Sequence, residues 1–97
     1  MCSRRCGTSQ LMPEISRFFG IVIKMFWDDH NPPHFHAFYA GEEALIEIHS
    51  LSVFAGHLSP RALGLVAEWA AVHQQDLLDD WHRAEGRAPL EKIEPLP

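Results

Sequence analysis

The patterning of this chain predicts an α+β domain, an antiparallel sheet of three to four strands packed on one long C-terminal helix, with an extended tail behind it. Three observations carry that expectation. β-Branched and aromatic residues alternate in short runs separated by turn residues between Ile21 and Phe54. Ser59-Pro60 combines a capping hydroxyl with a residue suited to a first helical position. Beyond it, Leu63, Val66, Ala70, Leu77 and Trp81 recur at helical spacing and form one apolar stripe.

Taken in order, residues 1–11 are polar and unpatterned and are expected to form a disordered extension. Met12 then opens a single domain over 12–97. Cys2 and Cys6 lack the Cys-x-x-Cys spacing or further nearby ligands of a redox or zinc site, and read as free thiols. Ile21–Trp27 alternates as a first strand. Asp28–Pro33 is a turn, because Asp and Asn favour bends and two prolines remove ladder donors; the cis or trans state of Pro32 and Pro33 stays open. His34–Tyr39 is a second strand, Ala40–Glu43 a hairpin connection, Ala44–His49 a third strand, and Leu51–Phe54 a short fourth. The helix is expected to run from Pro60 to about Ala84 with Gly86 as its stop, the polar run His73–Asp76 and Gly64 marking places for a bend. Leu90 and Ile93 of the tail should pack along an edge.

Register sharpens the picture. An even loop at Gly41-Glu42 pairs Tyr39 with Ala44, His36 with Glu47 and His34 with His49. One face then carries Phe35, Ala37, Tyr39, Ala44, Ile46 and Ile48, joined by Ile21, Ile23, Met25 and Trp27 and covered by the helix. The other carries His34, His36, Phe38, Leu45, Glu47 and His49 with Val22, Lys24, Phe26 and Asp28, and is expected to lie open or under another chain. In this register the imidazoles of His34 and His36 sit roughly 6.5–7 Å apart along one side of the sheet.

Composition bounds the function. At 97 residues, 46% hydrophobic and 22% charged, the chain is an ordinary globule with no apolar run long enough to span a bilayer and no secretory h-region, so a cytoplasmic location is expected. The net charge is −5; with Arg4 and Arg5 set aside, thirteen acidic residues face six basic ones. Such a domain repels phosphate backbones, which disfavours direct binding of double-stranded DNA and favours a basic partner protein.

The histidine face supports three chemistries. His34 and His36, with His49, Glu47 and Lys24, are candidate catalytic residues for phosphodiester cleavage: one neutral imidazole takes a 2′-hydroxyl proton, a protonated one serves the leaving oxygen, and Lys24 or Arg17 meets the phosphate. Asp28, Asp29, His30, His34 and His36, with Glu47 or His49 as further donors, are candidate ligands of Zn, Mn or Ni, leaving a position for water. Alternatively the aromatic residues Phe26 and Phe38 make the face an interface for a partner or a second copy, without chemistry.

The string Asp29-His-Asn-Pro-Pro-His-Phe-His-Ala37 joins Met12-Pro-Glu-Ile-Ser-Arg-Phe-Phe-Gly-Ile-Val-Ile23, Ala44-Leu-Ile-Glu-Ile48, Arg61-Ala-Leu63, Glu68-Trp-Ala70 and Lys92-Ile-Glu-Pro-Leu96 in a pattern that resembles the small bacterial proteins of domain-of-unknown-function family 4160 (DUF4160). The resemblance spans Met12 to Leu96. It implies an arrangement like a toxin–antitoxin pair, because members are commonly encoded beside a small family 2442 protein and are often proposed as toxins; it brings no established catalytic residues. The expectation is therefore the toxin-like member of such a pair, acting on RNA or translation as a small ribonuclease-like enzyme, with RNA or a cognate protein as partner. An antitoxin-like interaction module, free or homo-oligomeric, is the second reading, and a metal-dependent hydrolase the third.

Overall fold

The computed structural model describes residues 14–27 and 29–97. Among these residues five strands come first: β1 (Glu14–Phe18), β2 (Ile21–Lys24), β3 (His34–Tyr39), β4 (Glu42–Glu47) and β5 (Val53–Gly56). They form one antiparallel sheet in chain order, each strand beside its sequence neighbours. Two helices follow, α1 (Pro60–Val72) and α2 (Gln74–Glu85). This corrects the sequence expectation twice: the sheet has five strands rather than three to four, and two separate helices replace one long one.

β1 escapes sequence reading because a register shift between Glu14 and Ser16 leaves Ile15 and Ser16 both buried, which erases the two-residue period a strand normally shows. The helix breaks at His73, whose backbone leaves helical geometry at φ −113° and ψ 24°. Its N–H is shared between the carbonyls of Trp69 and Ala70, a tightened last turn, and its own carbonyl accepts from Leu77 to begin α2. Around the break, Gln74 Nε2 donates to the carbonyls of Ile48 and His49 beyond β4, at 2.7 and 3.1 Å. A continuous helix would forgo this anchor. The membrane expectation concerns spans only: no helix among the described residues is long and apolar enough to cross a bilayer.

Two hairpins use two-residue turns with positive φ at both positions, Phe19-Gly20 (51° and 82°) and Ala40-Gly41 (53° and 82°). That is the type I′ pattern, which matches strand twist. Glycine takes the left-handed region freely, whereas phenylalanine there costs about 1–2 kcal/mol. The second turn sets the register. Placing it at Ala40-Gly41 rather than Gly41-Glu42 pairs Tyr39 with Glu42, His36 with Leu45 and His34 with Glu47, in place of the expected Tyr39–Ala44, His36–Glu47 and His34–His49 partners. The slip is by two residues, so the faces keep their members while the cross-strand neighbours change.

The apolar face of the sheet meets both helices. Ile21, Ile23, Met25, Phe35, Ala37, Ala44, Ile46 and Ile48 are buried with Ala62, Val66, Trp69 and Ala70 of α1 and Leu77, Trp81 and Ala84 of α2. Trp69 is the hub. Its ring lies 5.3 Å from Phe18 and 6.0 Å from Phe35, and its Nε1–H donates to the Glu94 carbonyl at 2.7 Å. The C-terminal segment follows the outer edge of β1, where Ile93 N–H donates to the Ile15 carbonyl and Ser16 Oγ to the Ile93 carbonyl. The expectations placed on residues 1–11, on Met12 as a start and on Asp28 lie outside the described residues.

Candidate metal centre

β3 alternates strictly, so His34, His36 and Phe38 leave the sheet on the side opposite Phe35 and Ala37. That side is not open at the histidines: His34 and His36 keep 4% and 5% of their surface. His36 is stacked between Phe26, at 4.1 Å between ring centroids, and Phe38, at 6.4 Å. His34 meets Phe54 of β5 edge-on at 5.1 Å and Trp81 of α2 at 5.4 Å. The expectation of an exposed or partner-covered face is corrected here by the chain's own β5 and α2. Both reach His34 only through tertiary folding, and no local signal places them there.

The loop between β2 and β3 returns Asp29 to the two rings. Its Oδ2 lies 2.8 Å from His36 Nε2 and 3.2 Å from His34 Nε2. On the far side of each ring, Nδ1 faces an oxygen at 2.8 Å: the Pro32 carbonyl for His34 and the Glu43 carboxylate for His36. The Asn31–Pro32 peptide bond in this loop is cis. Proton bookkeeping follows from chemistry. A carbonyl only accepts, so Nδ1 of His34 carries the hydrogen, and in a neutral ring Nε2 is then a bare lone pair. That atom is buried and makes no hydrogen bond, yet it is aimed at a carboxylate oxygen. Two acceptors facing each other in a buried place need a cation between them, either a proton or a metal.

The donor set fits a metal. Asp29, His34 and His36 each offer one ligand atom, all within 4.8 Å of one another. Ligand atoms bound at about 2.0–2.2 Å to one ion stand roughly 2.8–3.6 Å apart across octahedral and tetrahedral geometries, a range that takes in the 2.8 and 3.2 Å separations of Asp29 Oδ2 from the two Nε2 atoms. Both histidines also have Nδ1 held by an oxygen, the outer arrangement that fixes the tautomer of ligating imidazoles. The cluster can therefore coordinate a divalent ion through Nε2, Nε2 and a carboxylate, the two-histidine, one-carboxylate set. Asp29, with 22% of its side chain exposed, is the least buried of the three.

Of the other residues singled out from sequence, Lys24 stands opposite His36 on β2, and its ammonium lies over the Phe38 ring at 5.2 Å. Glu47 stands opposite His34, but its carboxylate accepts from Ser50 Oγ. His49 lies past the end of β4 and is exposed, as is His30 in the loop. Arg17 makes a two-pronged pair with Glu14 at 2.8 and 3.0 Å, which lowers the Glu14 carboxyl below its ordinary range through that bond. Glu43 was not foreseen from sequence. The signal for it was glycine at the second position of Ala40-Gly41, which sets the turn one residue earlier and draws Glu43 from the connection into β4 opposite Phe38, within reach of His36.

Fold and site together define a small α+β protein with a buried two-histidine, one-carboxylate cluster on a five-stranded meander. The family model described as Domain of unknown function (DUF4160) matches residues 20–82, so the chain belongs to that family. The matched span holds the whole cluster, Glu43, Phe54 and Trp81. No curated protein and no solved structure matches the chain.

Proposed function

We propose that this protein binds one divalent metal ion through Asp29, His34 and His36, and that it is the toxin-like, metal-carrying member of a two-protein bacterial pair. The observation that carries the proposal is the buried Nε2 of His34, oriented by its Nδ1 bond and aimed without a hydrogen bond at the oxygen that His36 also meets. Three protein ligands leave coordination positions for water or substrate, and a divalent ion supplies Lewis acidity toward a phosphoryl or carbonyl oxygen. The chain's own residues do the rest. Glu43 holds the His36 ring, Phe26 and Phe38 limit water around it, and Lys24, opposite His36 on the neighbouring strand, offers a positive charge suited to a phosphate ester such as RNA. The pairing with a small cognate protein, and a cytoplasmic setting, rest on the family's resemblance to toxin–antitoxin arrangements.

The test has two arms. Protein purified without a polyhistidine tag should carry close to one Zn, Mn or Ni per chain by elemental analysis, and His34→Ala/His36→Ala should carry none. Expression of the free protein should arrest growth in a manner relieved by its encoded neighbour and abolished by His34→Ala. Absence of metal in the first arm sinks the metal centre; unaffected growth in the second sinks the toxin role.

A second reading has its own observation. Both nitrogens of His36 already face carboxylates, Glu43 and Asp29, so an imidazolium there satisfies the cluster without an ion. In that case the cluster is a structural network, metal addition changes nothing, and the protein acts as an interaction module.

A further inference from the structure

A second site lies on the other face of the sheet, at the opposite end of β3. Phe19, Ile21, Tyr39, Arg61, Ala62 and Leu65 line a cavity of about 330 Å³. That volume falls at the small end of ligand pockets, about 300–1,000 Å³. Tyr39 is five residues along β3 from His34 and on the face of Phe35, so roughly 17 Å of strand and the sheet itself separate the cavity from the metal centre.

Three features set this cavity apart from an accidental gap. Of the six lining residues, Tyr39 and Arg61 alone carry polar side-chain groups. Arg61 makes no hydrogen bond or ion pair among the described residues, although the chain carries a net charge of −5 and carboxylates are plentiful. It also sits in the first turn of α1, which holds no acidic residue to compensate it. The nearest carboxylate in register, Glu42 opposite Tyr39, faces His57 instead.

The rim points the same way. Phe19 keeps 58% of its surface exposed while held at φ 51°, at a turn position that Asn, Asp or Gly fills without strain. Folding gives no reason for a large aromatic ring there, since its one ring contact among the described residues is an edge-on approach to Phe18 at 6.5 Å. Strain of this kind, kept beside a cavity, is more economically explained by what the ring touches when the cavity is filled.

We propose that this cavity binds a small amphipathic carboxylate, its apolar body between Phe19, Ile21 and Leu65 and its carboxylate on Arg61. The charge decides the head group and the walls decide the tail. A neutral apolar molecule leaves Arg61 unmatched, and an inorganic anion leaves the walls wet.

Titrating the full chain with sodium octanoate, followed by backbone amide shifts in NMR, tests this. Octanol and inorganic phosphate serve as the tail-only and head-only controls. Octanoate should shift Phe19, Gly20, Tyr39 and Arg61 to Leu65, leave His34 and His36 unmoved, and bind about tenfold more tightly than octanol, the increment of one charge-assisted contact. Arg61→Gln should reduce octanoate to the octanol level. Phe19→Asn, which suits the turn and so keeps the fold, should weaken octanoate and octanol alike. Equal binding of octanoate and octanol, phosphate binding as well as octanoate, shifts scattered over the sheet, or no shift at all would each overturn the proposal.

Discussion

Glu43→Gln is the sharpest probe of the metal centre, because it touches the support of a ligand and none of the ligands. Glu43 Oε2 receives the Nδ1–H of His36 at 2.8 Å. Glutamine keeps an acceptor of the same reach but loses the negative charge that makes the ring a stronger donor through Nε2. Outer partners of this kind are worth about 10–100-fold in metal affinity, or about 1.4–2.7 kcal/mol. The side chain is 42% exposed, so its direct effect on the metal-free fold should stay within about 1 kcal/mol. A metal that binds only the native state stabilises by about 2.7 kcal/mol at a free concentration of 100 times Kd. For a domain of this size that raises Tm by roughly 10–20 °C. At the same free metal, the variant's increment falls to about 0.4–1.4 kcal/mol, or roughly 2–11 °C. Scanning calorimetry at buffered free zinc, with and without chelator, reads both numbers directly. A zinc-induced rise that is the same in wild type, Glu43→Gln and His34→Ala/His36→Ala would refute the reasoning, as would no rise with Zn, Mn or Ni.

Two further predictions concern the frame around the site. Gly56 ends β5 at φ 78°, and a Cβ there would overlap the Glu43 carbonyl oxygen; Gly56→Ala should cost about 2–4 kcal/mol from left-handed strain plus the clash, seen as a fall in Tm of roughly 10–25 °C. Asp80 is fully buried, and burial pushes its carboxyl above the ordinary 3.8, against the opposing pull of the Glu91 N–H and Arg83. Because its folded pKa is raised, its stabilising contribution is complete below the unfolded value and is lost as pH rises through the folded one. Asp80→Asn keeps an oxygen acceptor without ionising, so urea titrations from acid to neutral pH should show the variant gaining on wild type as pH rises; wild type gaining instead would mean that the Arg83 pair outweighs burial.

The parts of the fold that could be read from sequence were those whose burial is decided locally. Strict alternation in His34–Tyr39 assigns each side chain of β3 to a face before any tertiary contact is known, and Asp29, His34 and His36 were named because they share a short loop and strand. What could not be read depended on single backbone choices. A bulge hid β1, one turn position displaced the β3–β4 partners by two residues and concealed Glu43, and one non-helical residue at His73 redirected α2. Trp81 and Phe54 are farther still from local inference: they wall His34 only because the redirected helix and the last strand return to it. Periodicity reports which face a residue takes, while the partners it meets on that face depend on connections whose energies differ by little.

The C-terminal segment along β1 has a consequence for assembly. With Ile93 and Ser16 occupying that margin, sheet growth through main-chain pairing has, among the described residues, one remaining border, the short uncharged strand Val53–Gly56. A strand arriving there from another molecule would settle beside Phe54, the ring against His34. Docking and the histidine chamber would then be neighbours, and occupancy of one would be felt by the other without any long-range relay.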